Sequence, residues 1–159
     1  MTQDEVISAE EKMAPVERNE NLIKYNTRIL NKNVVLNYLF AQDKLVGASY
    51  KLDDNYVNSD HFIQSYLQFK QVLAKKYGLP SEEFTNWLND TYKNNRKKRG
   101  LALSLGHTEY ATFWKTQNTT IECSLREENF NVLCLVEYWS IGHSHLLEEG
   151  KKEDKMDLF

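Results

Sequence analysis

Glycine and proline are scarce and cysteine is nearly absent, with 6 Gly, 2 Pro and 2 Cys in 159 residues. So little glycine leaves little backbone for cradling phosphates, and no Gly-rich phosphate loop, G-x-S-x-G elbow or H-E-x-x-H helix is present. Two cysteines exclude a disulfide framework while allowing one bridge. No run approaches the ~18 apolar residues of a membrane span, and the first thirty residues carry no charged-then-apolar leader pattern. The opening TQDEV reads as a domain start. A soluble chain is expected, either cytoplasmic or the mature part of an exported or lipid-anchored protein. Excess charge of one sign is lacking too. The 20 Lys and Arg against 23 Asp and Glu give −3, which provides no general attraction for nucleic acid or anionic membrane.

What is present is an ordinary globular composition, 41% hydrophobic, 12% aromatic and 27% charged, at a length that suits one domain. Thr2 and Glu5 have the spacing of a capping box, which predicts a first helix to about Met13, closed by Pro15. Leu22–Tyr25 predicts a strand, followed by a polar turn over 26–33. Val34, Leu36, Tyr38 and Phe40 recur at every second position, as do Val46, Ala48, Tyr50 and Leu52, which predicts a hairpin with one buried face.

Phe62, Tyr66, Phe69, Leu73 and Tyr77 recur at helical spacing and define one apolar stripe, stopped by Gly78 and Pro80. Ser81 is positioned to cap a second helical segment carrying Phe84, Trp87 and Leu88. A basic loop follows, and then four strand candidates, Leu101–Leu105, Ala111–Lys115, Thr119–Leu125 and Phe130–Tyr138, in an antiparallel meander. A two-residue turn at Glu128 and Asn129 would set Leu125 opposite Val132, Cys123 opposite Cys134 and Ile121 opposite Val136, keeping apolar positions on one face. A polar tail is expected over 141–159, with a loose helix near Leu146 to Lys152.

IKYNTRILNKNVVLNYLFAQDKLVGASYKL and TFWKTQNTTIECSLREENFNVLCLVEYWS follow one plan of aromatic strand, polar turn, alternating strand, acidic turn and tyrosine-bearing strand, each after a helix that ends near a proline. The expected fold is α+β, an αβββ unit used twice over about 2–53 and 60–140 with an insert at 81–105, the antiparallel sheet carrying its helices on one face. On these residues the chain resembles the tandem helix-plus-sheet architecture of beta-lactamase inhibitor proteins and small envelope-assembly lipoproteins. TQDEV, KKYGLP and the late pattern of tryptophan, T-I and E-Y also resemble a family of uncharacterised bacterial proteins. The resemblance implies a concave sheet surface used for protein recognition and carries over no catalytic residue.

Candidate sites are few. Cys123 and Cys134, placed opposite, would have Cβ atoms about 5 Å apart and be either buried thiols or a disulfide. His107, His143 and His145 are the only grouping that suggests a metal or a general base, the basis of an alternative reading as a metal-dependent or hydrolytic enzyme. The run Lys93, Arg96, Lys97, Lys98 and Arg99, flanked by Trp87 and Tyr92, could grip an anionic surface or serve only as a solvated loop. Trp87, Trp114 and Trp139 are candidate anchors for a protein partner. The C-terminal KMDLF is similar to a tail motif that binds the replication sliding clamp, with Lys155 where glutamine is usual. The sequence thus predicts a non-enzymatic protein- or peptide-binding module with no cofactor, with a structural homo-oligomer, such as a homodimer, as a further alternative.

Overall fold

The computed structural model describes residues 1–143 and 145–147. Helix α1, Gln3–Ala9, starts where the sequence places it: the Thr2 hydroxyl accepts from the Glu5 amide at 3.3 Å, and the Glu5 carboxylate accepts from the Thr2 amide at 3.5 Å. It ends earlier than Met13, because the Glu10 amide closes the last turn on Val6 and only Gln3 and Val6 find sheet to bury against.

The chain then builds a meander: β1 (Glu17–Asn19), β2 (Leu22–Ile29), β3 (Lys32–Ala41) and β4 (Lys44–Leu52). The residues expected to turn, 26–29, continue β2, and the reversal falls on Leu30 and Asn31, both at positive φ. Two-residue turns matching the right-handed strand twist require that conformation, and Gln42 and Asp43 meet it between β3 and β4. In this hairpin Val34 faces Leu52, Leu36 faces Tyr50 and Tyr38 faces Ala48, as the alternation predicts.

Helix α2, Asp60–Tyr77, buries Phe62, Tyr66, Phe69 and Leu73 and stops at Gly78, whose φ is 84°. From here two expectations fail. The segment after Ser81 is strand β5 (Glu82–Trp87) and pairs with β6 (Thr108–Lys115); Leu101–Leu105 falls in helix α3 (Arg99–Ser104) and its C-cap, which buries Ala102 and Leu103 against α2 and the sheet. A 3₁₀ turn at Arg96–Lys98 leads into α3. Strands β7 (Thr119–Glu128) and β8 (Asn131–Ser140) complete the fold.

The result is a mainly β, α+β architecture: one eight-stranded antiparallel sheet in the order β1-β2-β3-β4-β8-β7-β6-β5, about 34 Å across at ~4.8 Å per strand. The last strands of the two meanders meet at the centre, β4 against β8. Cross-strand partners share a face, and the row Tyr25, Leu36, Tyr50, Val136, Cys123 and Thr112 crosses the seam unbroken. Val6 of α1, the α2 stripe and Leu103 of α3 all pack on that face, so these three helices leave the other face uncovered. α1 sits over β2 and β3 and α2 over β7 and β8, about 14 Å apart at the sheet spacing, too far for direct packing at 8–10 Å. Phenols fill the interval. Tyr38 donates to Glu10 at 2.6 Å, and Tyr25–Tyr38 and Tyr50–Tyr138 make edge contacts, both with centroids 6.1 Å apart. Burial, with Glu10 beside it, holds the Tyr38 phenol well above its usual range.

No described helix is long and apolar enough to cross a membrane.

Candidate functional site: the helix-free sheet face

Alternation sends every second residue of the eight strands to the face without helices. In β2 these are Leu22, Lys24, Asn26 and Arg28; in β3, Asn33, Val35, Asn37 and Leu39; in β4, Gly47, Ser49 and Lys51; in β8, Leu133, Leu135, Glu137 and Trp139; in β7, Thr120, Glu122, Ser124 and Arg126; in β6, Glu109, Ala111, Phe113 and Lys115; and in β5, Glu82, Phe84 and Asn86. An antiparallel sheet turned to water is expected to be polar on its solvent side. Here Val35, Leu39, Leu133, Leu135, Trp139, Phe84 and Phe113 are half-buried, and Ala111 and Ser124 are buried beneath their neighbours. Phe84 and Phe113 lie 5.9 Å apart, and Trp139 lies over Gly47, where an added Cβ would come within 2.7 Å of the indole. Gly47 is therefore what lets the tryptophan lie flat on the sheet.

Between these apolar residues runs a largely polar row, Lys24, Asn37, Ser49, Glu137, Glu122 and Phe113, in which Glu122 and Glu137 are directly opposed on β7 and β8. Like charges in that relation repel. Burial first and Glu137 second raise the Glu122 carboxyl above its ordinary range, and Arg126 opposes the shift. Arg126 is shared, hydrogen-bonding Ser124 at 3.2 Å and pairing with Glu128 at 3.4 Å.

The other candidate residues scatter. Trp114 is not a surface anchor: it is 2% exposed in the core under α2, its indole N–H donating to the Gly78 carbonyl at 3.0 Å. Trp139 is on the helix-free face. Trp87 ends β5 on the helix side, in the same alternation as Glu83, which pairs with Lys70 of α2. The basic run is an exposed segment at the α3 end of the molecule: Lys93 approaches Asp90 at 4.0 Å, Arg96, Lys97 and Lys98 form the 3₁₀ turn, and Arg99 opens α3. Tyr92 stacks on His107, with centroids 5.8 Å apart, so it is not free to pair with the run as one surface.

The histidines do not converge. Gly106, next to His107, lies against Glu127, which pairs with Val132 near one end of β8, whereas His143 reaches the Leu45 carbonyl at 3.4 Å, beyond the Gly47–Trp139 pair at the other. The intervening strand spans about 23 Å. His145 is exposed. No group of three or more His, Cys, Asp or Glu suited to a metal occurs among the described residues.

Cys123 and Cys134 are free, buried thiols, and they are not directly opposed: Cys123 faces Val136 and Leu125 faces Cys134. The turn falls on Asn129 and Phe130, both at positive φ, so the register lies two residues from that predicted and keeps the same faces. Burial pushes the Cys134 thiol up to about 12 and Cys123 further still.

KMDLF lies outside the described residues, as does most of the expected tail helix. No protein-family model, curated protein or solved structure matches the chain.

The helix-free face itself was readable only as the polar half of the alternations. Val35, Leu133, Leu135 and Phe113 broke that pattern, and that was the available signal.

Proposed function

We propose that the chain is a non-enzymatic protein-recognition module that docks its partner on the helix-free sheet face. One observation carries this reading: the half-buried Leu135, Trp139 and Phe113 flank the opposed, partly desolvated Glu122 and Glu137 on the sheet face that α1, α2 and α3 leave uncovered. Aromatic and aliphatic side chains gathered on one exposed face are what interface cores are enriched in. The carboxylate pair favours a partner that brings a basic side chain to the middle of the patch, relieving the repulsion on binding. Trp139 and Phe113 are the aromatic anchors.

The resemblance to beta-lactamase inhibitor proteins and envelope-assembly lipoproteins agrees with recognition through a sheet. A related pair of halves also fits a chain in which a helix precedes each meander and the two final strands, β4 and β8, meet at the seam. The scattered histidines give the hydrolytic alternative no convergent site.

The test is affinity capture from the source organism with three forms of the tagged chain: unaltered, Leu135→Ala with Trp139→Ala, and a form with Lys93, Arg96, Lys97, Lys98 and Arg99 changed to Ser. The face variant is expected to lose a partner that the other two retain. Retention by the face variant with loss from the serine variant would move recognition to the basic segment and contradict the proposal.

A further inference from the structure

The central seam is open at one end. β4 and β8 pair from Gly47–Trp139 to Lys51–Leu135, but β8 begins at Asn131, so its first residues lie beyond the last pair. On the other side the chain stays with β3: the Asp53 amide donates to the Asn33 carbonyl at 2.8 Å, and the Asp54 carboxylate accepts from the Asn33 amide at 3.3 Å and from its side-chain Nδ2 at 2.9 Å. The two halves of the sheet part here, and a cleft of about 540 Å³ opens between them, lined by Asp53, Asp54, Tyr56, Glu128, Phe130 and Val132 among others.

Three properties of the cleft define its occupant. The first is a free strand edge. Glu128 and Asn131 close a two-residue turn and are therefore a hydrogen-bonded pair, so by alternation Asn131 and Leu133 aim their backbone groups at β7 while Val132 aims its N–H and C=O into the gap. An unpaired edge is a template for another strand. The second is charge. Asp53, Asp54 and Glu128 line the cleft with Lys51, Glu128 being paired with Arg126 at 3.4 Å and Asp54 held by Asn33, which leaves a net negative charge centred on Asp53 and Asp54. The third is Phe130 at the rim, 99% exposed and held at φ 66°. The turn type sets that conformation, as at Leu30 and Gln42, and it leaves the ring standing free at the mouth of the cleft.

We propose that this cleft takes an extended, positively charged peptide segment, which adds to the free edge of β8 at Val132, sets its basic side chains against Asp53, Asp54 and Glu128, and lays an apolar side chain on Phe130. Strand addition draws affinity from main-chain hydrogen bonds and selectivity from the alternate side chains. The site is at the end of the sheet and does not depend on recognition across its face.

The test uses the ¹⁵N-labelled full chain with three capped hexapeptide probes: alternating lysine and valine, alternating glutamate and valine, and the lysine–valine peptide N-methylated at alternate residues. In the free protein the Val132 amide is expected to exchange at least about tenfold faster than those of Leu133 and Leu135, and to slow about tenfold when the lysine–valine probe saturates. The glutamate and N-methylated probes should bind at least about tenfold more weakly. Asp53→Asn with Glu128→Gln should weaken the lysine probe by a similar factor. Phe130→Gly should weaken it while raising Tm, a split that a merely structural role for the phenylalanine would not produce. A Val132 amide as protected in the free protein as Leu133 would overturn the proposal, as would equal binding of the N-methylated probe or indifference to probe charge. Shifts confined to Val35, Leu135 and Phe113 would assign the peptide to the sheet face and equally overturn it.

Discussion

Glu122 and Glu137 face each other across β7 and β8, and at the scale of single residues this opposition of like charges is the feature hardest to explain by folding alone. The Glu122 carboxyl is raised in the fold, chiefly by burial, so the folded chain holds its proton more tightly than the unfolded one. Stability from this group rises as pH falls through the folded pKa and is lost above it. Glu122→Gln is therefore expected to raise Tm at pH 7 and to change it little at pH 3, where both forms are neutral; a lower Tm at pH 7 would mean that the carboxylate has a native partner. The thiols give a second prediction. With Cys123 and Cys134 buried and pushed to high pKa, both should stay unmodified by iodoacetamide in the native protein and alkylate together on unfolding. Sequence reasoning found their burial but not their pairing. Apolar matching fixes the face, and so the register only to a multiple of two; the turn conformation at Asn129 and Phe130 chose between the choices.

At the scale of elements, α2 was legible because one stripe of large side chains does all of its packing, and α1 because its cap is local. β5 and the α3 segment were not. Ser81-Glu82-Glu83 has the composition of a helix start, and Phe84 and Trp87 suit a helical face, yet the segment gains more by pairing with β6 through Glu82–Phe113 to Trp87–Thr108. Leu101 to Leu105 alternate like a strand, but Gly100 decides otherwise: its amide donates to Asp60 at 3.0 Å, and an added Cβ would lie within 2.7 Å of the Asp60 amide nitrogen. Close approach to the start of α2 fixes where α3 begins, and no local propensity records it. Gly100→Ala is expected to cost about 1–3 kcal/mol in urea unfolding, as overpacking does. A change within experimental error would show that the α2–α3 contact yields without cost.

For the whole molecule, α1, α2 and α3 pack on one face of a sheet about 34 Å wide, and its halves are joined by the β4–β8 seam. The α+β class, the helix stripe and the hairpins could be read from periodicity. The central seam could not, since nothing local sets β4 beside β8, and neither could the apolar character of the helix-free face, which is spread over rows drawn from six strands. That face is the account's central claim. Its most direct test is a photo-crosslinking amino acid placed in the full chain at Leu135, at Phe113 and, as a control, at the exposed Val72 on α2, with irradiation in cells of the source organism. The account predicts one common adduct from positions 135 and 113 and none from 72. Adducts from 72 alone, or equally from all three, would contradict it.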